Sequence, residues 1–96
     1  MDDFVFYTAT DIQQTLGRKL KAVRKSKGWT QKEMAQRADI PLSTYARFEQ
    51  KGEGSLRDFA KILVVLDRGS EIEKLLNTSA TNESPMDLYR KIKGEK

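Results

Sequence analysis

From Ile12 onward the apolar residues recur at a helical interval. Ile12, Leu16, Leu20 and Val23 stand at i, i+4, i+8 and i+11, one stripe of an amphipathic helix. Thr8, with Asp11 three residues on, is a carboxylate form of the capping box and predicts where that helix begins. Gly28 predicts where it ends. Thr30 and Glu33 make a second capping box, for a short helix from Gln31 to Arg37 that buries Met34 and Ala35. Asp39-Ile40-Pro41 then breaks the chain, and Pro41 suits a first helical turn, where its missing N–H has no intrahelical partner. A third helix is expected over about residues 42–50, with Ile40, Tyr45 and Phe48 facing the core. Lys51-Gly52-Glu53-Gly54 reads as a loop. Ser55 and Asp58 start a fourth helix whose Leu56, Phe59, Ile62, Leu63 and Leu66 are expected to point inward; Arg68-Gly69 stops it. Ser70 and Glu73 then start a fifth helix carrying Ile72, Leu75 and Leu76.

The two ends follow other rules. Phe4-Val5-Phe6-Tyr7 is β-prone and short, so it either pairs with a second copy or packs on the bundle. Residues 77–84 are polar and aperiodic and read as a flexible linker. Ser84-Pro85 is a start signal for a last amphipathic stretch, Met86 to Lys93, with Leu88, Tyr89 and Ile92 on it. The expected organisation is an N-terminal segment (1–8), an all-α five-helix domain (9–77) and a flexible tail (78–96).

Composition narrows the chemistry. A chain of 96 residues with a 38% hydrophobic share supports one modest core. It has no cysteine and no histidine, which removes disulfides, thiolate or imidazole metal sites and most nucleophile–base pairs. No paired carboxylates or activated nucleophile fall on a shared face, so no catalytic residues, cofactor or metal are expected. The longest apolar run, Ile62 to Leu66, is far too short to span a membrane. The acidic start Met1-Asp2-Asp3 is unlike a signal peptide, and a cytoplasmic protein is expected. The net charge of +4 is unevenly spread: residues 1–17 carry −3 and residues 18–51 carry +7. A basic stripe is most often a solvated helix face, but here it takes in two successive short helices, 31–37 and 42–50.

Two short helices joined by a three- or four-residue turn and flanked by others make a helix-turn-helix. The second helix of such a pair must be slim and polar on one face to enter a major groove about 12 Å wide. Leu42, Ser43, Thr44, Ala46 and Arg47 supply that face, while Tyr45 and Phe48 point away from it. Spacing alone leaves an ordinary helical hairpin open as the alternative.

Three ordered blocks go further: Arg24-Lys-Ser-Lys-Gly-Trp-Thr-Gln-Lys-Glu-Met-Ala, Ser43-Thr-Tyr-Ala-Arg-Phe-Glu49 and Ser55-Leu-Arg-Asp-Phe-Ala-Lys-Ile62. On these, Leu16 to Leu66 closely resembles the Cro/CI, or XRE, family of helix-turn-helix domains. The resemblance implies a lambda-repressor-like fold that binds double-stranded DNA. It implies that Gln31 bonds a phosphate and braces the recognition helix, and that Arg24 and Glu49 form a scaffold ion pair. Leu42, Ser43 and Arg47 fall where the family touches base edges, with Thr44 and Ala46 beside them; Ser43 suits a base or a phosphate equally. Lys32, Lys51 and the backbone at Gly52 and Gly54 are expected phosphate contacts, which position without specifying. Pro41 departs from the serine cap common in the family, and Leu42 from a glutamine or arginine. A leucine there can touch only a thymine methyl or a neighbour, which shifts weight toward readout of DNA shape.

Family members usually bind near-palindromic operators as twofold dimers, with half-sites about 34 Å apart. Val64, Val65, Ile72, Leu75 and Leu76, with Phe4, Val5 and Phe6, are the expected dimer surface; a fifth helix folded back over the valines is the alternative. The N-terminal aromatic segment, Gly28-Trp29-Thr30-Gln31 and Ser84-Pro85-Met86-Asp87-Leu88 resemble HipB-type antitoxins, whose partners are HipA-like Ser/Thr kinase toxins. That resemblance implies an autoregulatory repressor that is also the antitoxin of a toxin–antitoxin module. Pro85, Met86, Leu88, Tyr89 and Ile92 would then form a docking tail, the other reading being a frayed end. A stand-alone phage-type or general repressor is the alternative for the whole chain.

Overall fold

The computed structural model describes residues 8–77, and their regular structure is entirely helical. Four α-helices, α1 (Ala9–Ser26), α2 (Gln31–Ala38), α3 (Leu42–Lys51) and α4 (Leu56–Leu66), are followed by a 3₁₀ helix (Gly69–Lys74). The expected strand residues Phe4, Val5 and Phe6 lie outside the described residues. So do the tail residues Pro85, Met86, Leu88, Tyr89 and Ile92.

The helix starts are where the side chains dictate. Thr8 accepts from the Asp11 amide at 3.1 Å while the Asp11 carboxylate takes the Thr8 amide at 3.2 Å, so both halves of the capping box form. Thr30 and Glu33 repeat it for α2 at 3.0 and 2.8 Å. Ser55 accepts from the Asp58 amide at 3.0 Å. Pro41 precedes α3 with no side-chain cap, as its loss of the usual serine implies.

One of the stops differs from expectation: α4 ends at Asp67, before Arg68-Gly69, whereas α2 ends at the expected Asp39 break. Asp39 and Asp67, not glycines, take the left-handed conformation, at φ 58 and 59. Each ends its helix in a Schellman turn, in which the next amide reaches back: Ile40 N–H to the Ala35 carbonyl at 3.0 Å, Arg68 N–H to the Leu63 carbonyl at 2.9 Å. Ile40 is thereby pulled into the core. The expected fifth α-helix is a six-residue 3₁₀ helix without a side-chain cap, so Ser70 and Glu73 do not form a capping pair. Gly69 at its start and the absence of a cap leave it little helical drive of its own.

The core joins all four α-helices through Leu20, Met34, Tyr45, Phe48, Ile62 and Leu66, each nearly or fully buried. The Phe48 and Phe59 rings stack with centroids 6.2 Å apart. Burying a side chain of this size stabilises by roughly 1.5–3 kcal/mol, so these few residues dominate a small domain. Two expected inward residues are not inward. Leu56 is 80% exposed, because it sits at the first position of α4, before the helix reaches the bundle. Ile12 is 56% exposed at the opposite end of the α1 stripe.

Gly17 sets how closely α1 and α3 approach. A Cβ there would lie 2.5 Å from the Glu49 carbonyl oxygen and 2.8 Å from that of Phe48. Only glycine leaves room for the α3 backbone, and that close crossing brings the α1 residue Arg24 to Glu49.

Candidate nucleic-acid interface

The turn between α2 and α3 is short, and α3 is gripped from behind. Tyr45 and Phe48 are buried at 0% and 2% exposure, so the opposite face of α3 is held outward. On it, Leu42, Ser43 and Arg47 are exposed and Thr44 and Ala46 half-buried, which brings the five expected base-contacting residues onto one helix. Small side chains flank Arg47, so the helix backbone can come close to a partner on this side.

The orientation of α3 is held by a buried ion pair. Arg24 Nε donates to Glu49 Oε2 at 2.6 Å and Nη2 to Oε1 at 3.1 Å, a bidentate fork, while Nη1 donates to the Trp29 carbonyl at 2.7 Å. Gln31 Nε2 donates to Glu49 Oε1 at 2.9 Å, and the Tyr45 hydroxyl donates to Oε2. Glu49 thus ties α3 to α1 and to the first residue of α2. Burial alone pushes its carboxyl up, but hydrogen bonds from Arg24, Tyr45 and Gln31 and the Arg24 charge outweigh it, so the carboxyl lies below the usual range. The hydrogen bond to Glu49 raises Arg24, and burial raises the Tyr45 phenol.

A pH dependence follows with a defined sign. A carboxyl lowered by folding contributes stability that is present above its unfolded value and lost as pH falls through its folded value. Urea unfolding should therefore show a declining midpoint below about pH 4. Glu49→Gln should remove this part of the slope; an unchanged slope would show that other carboxyls carry it.

The expected phosphate contacts surround α3. Gln31 opens α2 half-buried, its amide turned to Glu49, with a second N–H left over. Lys32 and Lys51 are exposed, and Gly52, in left-handed conformation at φ 66, turns the chain out of α3. A Cβ on Gly52 would fall 2.1 Å from the Gln13 carbonyl oxygen, and one on Gly54 2.1 Å from the Phe48 ring. The backbone of this loop is therefore pinned against α1 and the Phe48 ring. Trp29, in the α1–α2 turn, lies under Arg37 at 4.3 Å and Lys27 at 5.5 Å.

Three participants escaped the sequence reading. Glu53 forms an ion pair with Arg47 at 2.7 Å. The Tyr45 hydroxyl was read only as core, although phenols buried in a helical core usually find an acceptor. Gly17 carries no signal of its own in the pattern, since its role depends on the distant backbone of Phe48 and Glu49.

The expected dimer residues divide. Val64, Ile72, Leu75 and Leu76 are 75%, 48%, 63% and 91% exposed, whereas Val65 is half-buried and packs on the core. The 3₁₀ helix leaves Val64 uncovered. Between it, α1 and α4 runs an apolar groove of about 370 Å³, lined among others by Leu16, Val23, Leu63, Ile72 and Leu75.

No helix among the described residues is long and apolar enough to cross a membrane. A family model described as helix-turn-helix matches residues 20–72, which takes in α2, α3, α4 and the ion pair. No curated protein matches the chain.

Proposed function

Since the chain belongs to the helix-turn-helix family of the Cro/CI type and is a DNA-binding transcription regulator, we propose that it is a homodimeric, autoregulatory repressor that lays α3 in the major groove of a near-palindromic operator. The outward face of α3 carries this reading: small side chains around Arg47, held there by Tyr45, Phe48 and the Glu49 network. In it Arg47 reads guanine, Leu42, Thr44 and Ala46 pack on the groove floor and Ser43 bonds a base or a phosphate. Gln31, Lys32, Lys51 and the Gly54 backbone hold phosphates, while the Gly52 N–H is already donated to the Phe48 carbonyl at 2.9 Å. One α3 covers few base pairs, and the exposed Val64, Ile72, Leu75 and Leu76 give a second copy an apolar surface to bury.

A duplex selected from a random-sequence library tests this directly. It should bind two chains per duplex and contain two inverted half-sites. Affinity should fall by about a thousandfold or more between 50 and 200 mM salt, as for a complex with six or more phosphate contacts. One chain on an asymmetric site, or a complex insensitive to salt, would overturn the reading.

The HipB-like segments extend the proposal to an antitoxin whose partner is a HipA-like kinase toxin, held by the tail. Native co-purification of the full chain beside a version ending at Asn77 separates the alternatives. A kinase-sized partner retained only by the full chain supports the antitoxin. Both versions purifying alone would leave a stand-alone repressor.

A further inference from the structure

The groove between α1, α4 and the 3₁₀ helix is apolar along both walls, with Ile12, Leu16 and Val23 on α1 facing Ile72 and Leu75. Two cations, Lys19 and Arg68, also line it. Arg68 is paired with Glu71, whereas Lys19 has no ion-pair partner among the described residues. Ile12 stands at the end of the groove where α1 begins. It is 56% exposed, although it is the fourth residue of a helix that opens on a complete capping box. A hydrophobic residue in that position packs on the residue just before the cap, in a hydrophobic staple. Here that residue is Tyr7, the last of four apolar residues in a row.

We propose that this groove is the docking site for residues 2–7 of the same chain, which run back along α1 from the Tyr7–Ile12 staple and bring Asp2 and Asp3 to Lys19. The lengths agree. From Thr8 to Lys19 the helix rises about 16.5 Å at 1.5 Å per residue, and from Thr8 back to Asp3 an extended chain covers about 16.5 Å at 3.3 Å per residue. The pattern agrees as well. A strand lying on a flat surface needs apolar residues only at alternate positions. Phe4-Val5-Phe6-Tyr7 is apolar on both faces, which suits a slot walled on two sides. The charges are complementary, two aspartates ahead of the aromatic run against an unpaired lysine. Docking within one chain follows from the cap. Thr8 is fixed to Asp11, and a staple there turns the preceding chain along its own α1. The segment then gives Ile72 and Leu75, 48% and 63% exposed, the apolar cover they lack among the described residues. Val64 and Leu76 do not line the groove and stay available to a second copy.

The chain has no cysteine, so Leu75→Cys gives a single thiol at the groove and Val64→Cys one outside it. The test follows labelling of each by a thiol reagent in the full chain, over a range of protein concentrations, with and without Phe4→Ser/Phe6→Ser. The two serines should speed labelling at position 75 by about tenfold or more, the scale of burying one large apolar side chain, and leave position 64 unchanged. Lys19→Glu, a change at an exposed residue, should speed position 75 by about two- to fivefold, the scale of an exposed ion pair. Adding Asp2→Lys/Asp3→Lys should restore the slow rate. Faster labelling at position 64 as well would mark a loosened fold, and the Lys19→Glu series then decides alone. Equal rates at position 75 with and without the serines would overturn the proposal. So would a Lys19→Glu variant that labels like its parent. Protection of position 75 that appears only as protein concentration rises would put a second copy in the groove, and would overturn docking within one chain.

Discussion

Glu49→Ala should lower the unfolding free energy by about 3–5 kcal/mol, the cost of leaving one member of a buried ion pair alone. Arg24 would keep its charge in a site where its side chain is only 9% exposed, with the Trp29 carbonyl as its remaining acceptor. The Tyr45 hydroxyl and the Gln31 amide would lose the same acceptor. Domains of this size hold about 5–15 kcal/mol in total, so the variant should lose a large share of its stability. Trp29, the chain's single tryptophan, reports on this directly, because its carbonyl is held by Arg24. Urea titration followed by its fluorescence gives the free-energy difference. A loss below about 1 kcal/mol would place the pair among surface-like interactions and remove its role in orienting α3.

Arg47→Ala should behave in the opposite way. Its side chain is largely exposed and bonded only to Glu53, so stability should change by no more than about 0.5 kcal/mol. Binding to the selected duplex should weaken by about 1–3 kcal/mol in each half-site, with preference flattened at one base pair. Titrations against duplexes substituted one position at a time locate that base pair. A uniform loss over all sequences would make Arg47 a phosphate contact.

The contrast between these variants shows what a sequence carries and what it does not. Capping boxes are local, so Thr8 with Asp11 and Thr30 with Glu33 were legible as helix starts. Tyr45 and Phe48 were legible as the buried face of α3 by period alone, and Arg47 as the charge on the other face. The end of α4 was less so, because Asp67 takes a left-handed conformation usually left to glycine. Leu56 misled because periodicity does not say where along a helix the bundle begins. The 3₁₀ helix misled because Ile72, Leu75 and Leu76 stand at i, i+3 and i+4, an α-helical spacing, although the helix ends at Lys74. Gly17 and Glu53 were not legible at all: one acts on the backbone of α3, the other on a side chain six positions away across a turn.

That α3 lies in the major groove is tested most directly by methylation interference on the selected duplex. Methylation of guanine N7 blocks the major-groove edge that an arginine fork uses. The full chain should be excluded by methylated guanines in two inverted half-sites about 10 base pairs apart, and Arg47→Ala should lose that pattern at one guanine in each. Interference confined to adenine N3, in the minor groove, would put α3 elsewhere and overturn the docking of this face on DNA.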